Sequence, residues 1–192
     1  MQRKTFIKHL PLLGLGAVAT SACTTTVGNE ELESEALTGD LAVLRANAEL
    51  EAVAVETYLF INESPILPVD SILETTQLYK DHHYQHLQDL NQVLLNAGGV
   101  AVDHPQFLPD QRLSDLNSSS TVQDVIRLAV QIELEAATAY LRQSIDELTS
   151  REARLLMAEI YPIEVSHFVE LNQALGNTPA INSHRFSGLT LR

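Results

Sequence analysis

From Leu41 onward, apolar residues recur every three to four positions in four blocks, the spacing of one buried helical face. The first block runs over about Leu41 to Asn62 and is interrupted by Pro65 and Pro68. The second opens near Ser71, where Ser71 and Glu74 make a capping-box pattern. It closes at Gly98-Gly99, a residue type that lets a helix end in a left-handed turn. The third predicts a helix over about Thr121 to Leu148. Thr149 with Glu152 predicts the start of a fourth, which stops before Gly176. Between the second and third lies the polar stretch Val100 to Ser120, with Pro105, Pro109 and a run of serines.

Loop lengths then set topology. Short turns make helices one and two, and helices three and four, antiparallel neighbours. The long stretch between the pairs can travel the ~40 Å of a helix at roughly 3.3 Å per extended residue, so helices two and three can run parallel. An up-down bundle has no need of such a crossover, and long structureless loops are uncommon without a reason. The predicted fold class is therefore all-α, a four-helix bundle over 41–176 with one long crossover.

The two halves resemble each other. Glu51, Ala54, Tyr58 and Leu59 lie on Glu133, Ala136, Tyr140 and Leu141, and His86-Leu87-Gln88-Asp89-Leu90-Asn91-Gln92 lies on His167-Phe168-Val169-Glu170-Leu171-Asn172-Gln173 at nearly the same offset. Shared helical periodicity explains part of this. The repeated Glu-to-Tyr spacing and Leu-Asn-Gln run point further, to an internal duplication.

Each predicted helix carries ionisable residues on its most apolar stripe. At 100° per residue, Glu51 shares its face with Leu44, Ala48, Ala54, Val55 and Tyr58, while Arg45, Glu49 and Glu56 turn away. Glu133 sits likewise among Val122, Ile126, Val130, Ala137 and Tyr140. His83 and His86 lie with Tyr79, Leu87, Leu90 and Leu94, and Glu164 and His167 with Met157, Ile160, Phe168 and Leu171. At 1.5 Å rise per residue, the six fall within roughly 8 Å of one height in the bundle. Burying unpaired charge is costly, so the six need partners, and one or two bound cations would serve them all. A single inward His or Glu reads more simply as a hydrogen-bonded core residue, and a satisfied Glu–His network remains the alternative for the set. Tyr58 and Tyr140 read as core aromatics, His82 as a neighbour of the site, and His104 and His184 as solvated residues of loop and tail. Val53 and Phe60, on the polar side of the first helix, are candidates for a homodimer contact, although scattered exposed apolar residues are ordinary.

Composition agrees with helix: the chain has no Trp and only five Tyr and five Phe among 192 residues. Its formal charge of −13 repels phosphate backbones and excludes nucleic acid as an expected partner. After the N-terminal region, no stretch approaches the roughly 18 apolar residues of a membrane span. Residues 1–22 read as an export signal, with basic Arg3, Lys4 and Lys8 followed by an apolar run from Leu10 to Val18. The run Gln2-Arg3-Lys4-Thr5-Phe6-Ile7-Lys8 resembles a twin-arginine signal with Lys in place of the second Arg. That route exports folded proteins and so suits a metal loaded beforehand. Thr20-Ser21-Ala22-Cys23 resembles a lipobox, which would tether the protein to the membrane through Cys23; Ala17-Val18-Ala19 offers an ordinary cleavage site instead. The lone cysteine excludes an internal disulfide. Residues 23–40 read as a flexible acidic tether and 177–192 as a C-terminal tail, and the expected location is the periplasm or cell envelope.

Glu133 followed by Ala139-Tyr140, then Tyr161-Pro162-Ile163-Glu164-x-x-His167, resembles the third and fourth helices of the ferritin-like superfamily, in particular its exported ferritin-like-domain branch. The likeness covers about Leu41 to Gly176. It implies that Glu51 and Glu133 are terminal carboxylate ligands, Glu164 a bridging carboxylate, and His86 and His167 imidazole ligands of a metal pair. One position departs: His83 stands where the family carries its first bridging Glu. An imidazole offers one lone pair to a site that a carboxylate would span, which leaves the choice between one ion and two open. The resemblance implies iron or manganese, with zinc also compatible with the donors. It further implies a non-haem oxidoreductase acting on dioxygen or peroxide. A non-catalytic metal-binding or storage module, and a metal-free structural bundle at the membrane, are the rival readings.

Overall fold

A computed structural model of the chain describes residues 26–67, 70–116 and 119–177. The export signal and Cys23, as well as the tail beyond 177 with His184, lie outside the described residues. Among the described residues the fold is all-α and has five helices: α1 (Thr26–Gly39), α2 (Leu41–Glu63), α3 (Asp70–Asn96), α4 (Val122–Arg142) and α5 (Arg151–Ala174). No helix among them is long and apolar enough to cross a membrane.

The last four are the expected bundle. Glu51 faces His83 while Asn62 faces Thr76, so α2 and α3 run antiparallel. Tyr58 reaches Glu133 while Tyr140 reaches Glu51, so α2 and α4 are antiparallel too, and α3 and α4 are consequently parallel. On α5, His167 meets Glu133 and Arg154 meets Ser144, which closes the second antiparallel pair. The crossover from 97 to 121 makes the parallel step. Asn91 holds its start by exchanging two hydrogen bonds with the backbone of Val102, at 2.8 and 2.7 Å. Further along, His104 lies 2.6 Å from Glu56 on α2, so it clamps the loop and is not the free, solvated residue expected.

Helix ends follow local chemistry. Gly98 and Gly176 have φ of 80° and 77°, and the N–H groups of Gly99 and Asn177 reach back to Leu94 and Asn172, closing α3 and α5 in the same way. Thr121 and Asp124 form a reciprocal capping box at the start of α4. The third helix was expected to reach Leu148; α4 ends at Arg142 and a π turn, Gln143–Glu147, covers the rest. The expected cap of α5 moves by one residue. Ser150, not Thr149, accepts from the N–H of Ala153, because Thr149 is engaged by Asp40. The helix runs through Pro162, whose exposed position lets water meet the carbonyl that proline leaves without a partner.

The region expected to be a flexible acidic tether is helical from Thr26 onward and is docked. Leu37 is buried in the core beside Leu44 and Leu148. Asp40, 3% exposed, accepts from the backbone N–H groups of Thr149 and Ser150, and Glu33 accepts from that of Glu152. Composition hid this, because one leucine and two acceptors placed over the first turn of α5 suffice to seat a short acidic helix.

The apolar interior forms two clusters. One holds Leu44, Ala52, Leu90, Tyr140, Met157 and Ile160; the other holds Tyr58, Ile61, Tyr79, Val125, Ala129 and Leu171. Phe60 is half exposed and Val53 half buried beside Leu108 and Pro109 of the crossover, where they line a surface groove. Asp40→Ala should strand the N–H groups at the start of α5 and lower stability by about 1–3 kcal/mol, the cost of unsatisfied buried donors. The shift of the urea midpoint at unchanged slope measures it.

Candidate metal centre

A polar layer separates the two apolar clusters. Glu51, His83, His86, Glu133, Glu164 and His167, the six residues singled out by sequence, all lie in it, and none is more than 3% exposed. Each of the four bundle helices contributes: Glu51 from α2, the two histidines from α3, Glu133 from α4, and Glu164 with His167 from α5.

Their donor atoms form two overlapping sets. Glu51, His83, His86 and Glu164 present one ligand atom each within 4.8 Å of one another, and so do His83, Glu133, Glu164 and His167. His83 and Glu164 belong to both. Around the first set, His83 Nδ1 lies 2.8 Å from Glu51 Oε2, and His86 Nδ1 lies 2.9 Å from Glu164 Oε1. Around the second, His83 Nε2 lies 3.3 Å from Glu133 Oε1, and His167 Nδ1 lies 3.1 Å from Glu133 Oε2. Sequence reasoning allowed His83 a single lone pair toward the site. In the structure both of its ring nitrogens face carboxylates, one in each set.

Two tyrosines brace the layer. Tyr58 donates its hydroxyl to Glu133 and Tyr140 donates to Glu51, so each carboxylate is held by the tyrosine of the other half. Read singly as core aromatics, they are in fact cross-helix donors. The signal was present in the sequence, since each tyrosine follows a glutamate by the same interval in both halves. On the outer side, His82 Nδ1 lies 2.9 Å from His167 Nε2 with the two rings stacked, and Tyr79 stacks on the same imidazole at 4.0 Å between centroids. These neighbours occupy the outer nitrogen of His167 and leave Nδ1 pointing inward.

Electrostatics are dominated by burial and by the neighbours each group meets. Burial raises the Glu51 carboxyl, but His83 and His86 beside it outweigh that and bring it down to about 2. Glu133 is held well below its ordinary value in the same way, by His83 and His167 against its burial. Glu164 goes the other way: burial, with Glu51 and Glu133 close by, lifts it to about 8 despite His83 and His86. Burial lowers His86, yet Glu164 and Glu51 raise it to about 9, and the three glutamates hold His83 well above its usual range. Burial and the adjoining carboxylates keep Tyr58 and Tyr140 protonated.

The donor set fits a divalent cation: three carboxylates and three imidazoles, all buried, with no thiolate among them. Both carboxylate oxygens of Glu164 and both ring nitrogens of His86 are buried without an aligned hydrogen-bond partner, although His86 Nδ1 comes within 2.9 Å of Glu164 Oε1. Atoms so placed are suited to ligation.

Two outcomes follow for the metal-free chain. Glu164 and His86 have folded-state values raised above the unfolded ones, so the stability they contribute is full below about pH 4.5 and 6.5 respectively and is lost as pH rises through about 8 and 9. Thermal melts of chelator-treated protein should accordingly fall between pH 6 and 9. Tyr58→Phe and Tyr140→Phe each remove a donor to a buried carboxylate and should lower stability by similar amounts, about 1.5–3 kcal/mol, in denaturant titrations.

Comparison with known proteins agrees with this architecture. A family model described as a ferritin-like domain matches residues 67–177. Among solved structures, the chain is similar to a conserved hypothetical protein, rv2844, from Mycobacterium tuberculosis. That match has a TM-score of 0.57 at 18% identity and covers 71% of this chain and 96% of the other. No curated protein matches the chain.

Proposed function

Because the chain belongs to the ferritin-like domain family, we propose that its polar layer is a non-haem metal centre, of iron or manganese, that reacts with dioxygen or peroxide. The observation that carries this reading is the pair of four-donor sets meeting at His83 and Glu164, with buried donor atoms on Glu164 and His86 left without hydrogen-bond partners. A ferrous or manganous ion held there would supply one electron to the oxidant, and an external reductant of the envelope would supply the second.

The chain's own residues do the rest. Tyr58 and Tyr140 fix the rotamers of Glu133 and Glu51, and His82 fixes the ring of His167. The apolar clusters on either side keep bulk water from the layer. A neutral imidazole has one lone pair and one N–H, so His83 ligates in one set while donating to the carboxylate of the other. This favours one ion per chain where a bridging carboxylate would favour two. The signal-like run at 1–22 supports export to the cell envelope, with either a lipid tether on Cys23 or cleavage after Ala17-Val18-Ala19, and Val53 and Phe60 remain the candidates for a homodimer contact.

Elemental analysis of protein purified from its native compartment should find close to one iron or manganese per chain, rising toward two in His83→Glu. Addition of Fe(II) should consume oxygen. Uptake without oxygen consumption would identify a storage module. A metal-free protein whose melting temperature ignores a chelator would identify a structural bundle.

A further inference from the structure

A small cavity of about 70 Å³ lies between α2 and α4 and touches Glu51, His83 and Tyr140 at its inner end. Its walls are mostly apolar, with Ala54 and Ala136 facing across the gap, and Leu50, 50% exposed, stands at the rim. The crossover lies over this gap and is fastened on both sides. On α2, the backbone N–H of Asp110 donates to the Thr57 hydroxyl at 2.8 Å. On α4, the Arg112 guanidinium grips Glu135 with two bonds of 2.9 Å. The same guanidinium binds Asp110 through Nε at 2.9 Å and Nη2 at 2.6 Å, which makes Arg112 the clasp of the strap.

Size decides what can pass. The cavity has about half the ~150 Å³ of an apolar cavity that takes up benzene, so it has room for a small molecule and not for a larger organic substrate. Its small bore requires a hydrated cation to shed its shell to enter, and Asp110 and Glu135 at the mouth are already paired with Arg112. The larger cavity at the opposite end, about 270 Å³, stops at Tyr79 and touches none of the six layer residues.

We propose that the α2–α4 gap is the admission route for a small neutral oxidant, dioxygen or hydrogen peroxide, and that Arg112 sets the width of its mouth. The inference rests on the metal reading above and adds the size limit on the substrate and the face from which it arrives. Arg112 acts here as a positioning residue, through the strap.

Two measurements test it. In crystals of the full chain pressurised with xenon, a probe that enters small apolar cavities without needing a metal, xenon should sit between α2 and α4 and be absent from the gap in Ala136→Leu. In Fe(II)-loaded protein, stopped-flow association of nitric oxide should slow about ten-fold in Ala136→Leu at unchanged iron content, as expected when access is obstructed. It should quicken in Arg112→Ala, a surface change that preserves the core should Ala136→Leu fail to fold. Association at the wild-type rate in Arg112→Ala and in any folded Ala136→Leu, or xenon found only outside the gap, would overturn the route. A wild-type protein that binds no iron overturns the metal reading instead, and the xenon result still decides whether the gap admits a small neutral solute.

Discussion

Six ionisable side chains share one buried layer between two apolar clusters, and the bundle around them is arranged to make that tolerable. An isolated charge in such a place costs several kcal/mol or more, and even a paired one is seldom better than a hydrophobic substitute. The layer is therefore a poor way to gain stability. Every helix of the bundle carries one or two of these groups, so the cost falls on the whole fold and the compensation must also be collective. Carboxylate faces imidazole at each approach, and the tyrosines add a second donor to Glu133 and to Glu51.

The compensation has an approximate two-fold pattern that comes from the repeated halves. Tyr58 braces Glu133 and Tyr140 braces Glu51, an exchange in which each half secures the ligand candidate of the other. Neither half could satisfy its own glutamate in this way. His86 and His167 are likewise counterparts, and so are Gly98 and Gly176 at the ends of their helices. The pattern breaks at one place: His83 stands opposite Glu164. The result is a layer with one shared carboxylate and one shared imidazole, and the two donor sets differ in kind from those of a site with two shared carboxylates.

Much of this was legible in the sequence, for identifiable reasons. The helices, the crossover and all six layer residues follow from periodicity, because a charged residue among apolar ones at helical spacing has only one direction to point. What escaped was information carried by tertiary contact. The Asp40 acceptors, the His104 clamp and the two-sided placement of His83 each depend on which group a partner helix brings up. The docking of α1 was misread for the same reason, since an acidic segment with few apolar residues looks unstructured until its acceptors meet the first turn of another helix. The bracing tyrosines are the instructive case. Periodicity placed them in the core, and their partners appear only once α2 and α4 pack antiparallel, which brings the tyrosine of each half to the glutamate of the other.

The charge states of the layer explain how the bundle can exist before it holds any ion. With Glu51 and Glu133 kept ionised, Glu164 kept protonated at neutral pH, and His83 and His86 kept charged, two negative groups meet two positive ones. The imidazole rings thus stand among the carboxylates where a cation's charge would otherwise be required. A divalent ion bound there would take the place of protons on His83, His86 and Glu164, since an imidazolium has no lone pair to offer, and those protons would leave for solvent. The layer leaves buried donor atoms on Glu164 and His86 without hydrogen-bond partners, which are the atoms a bound ion could satisfy.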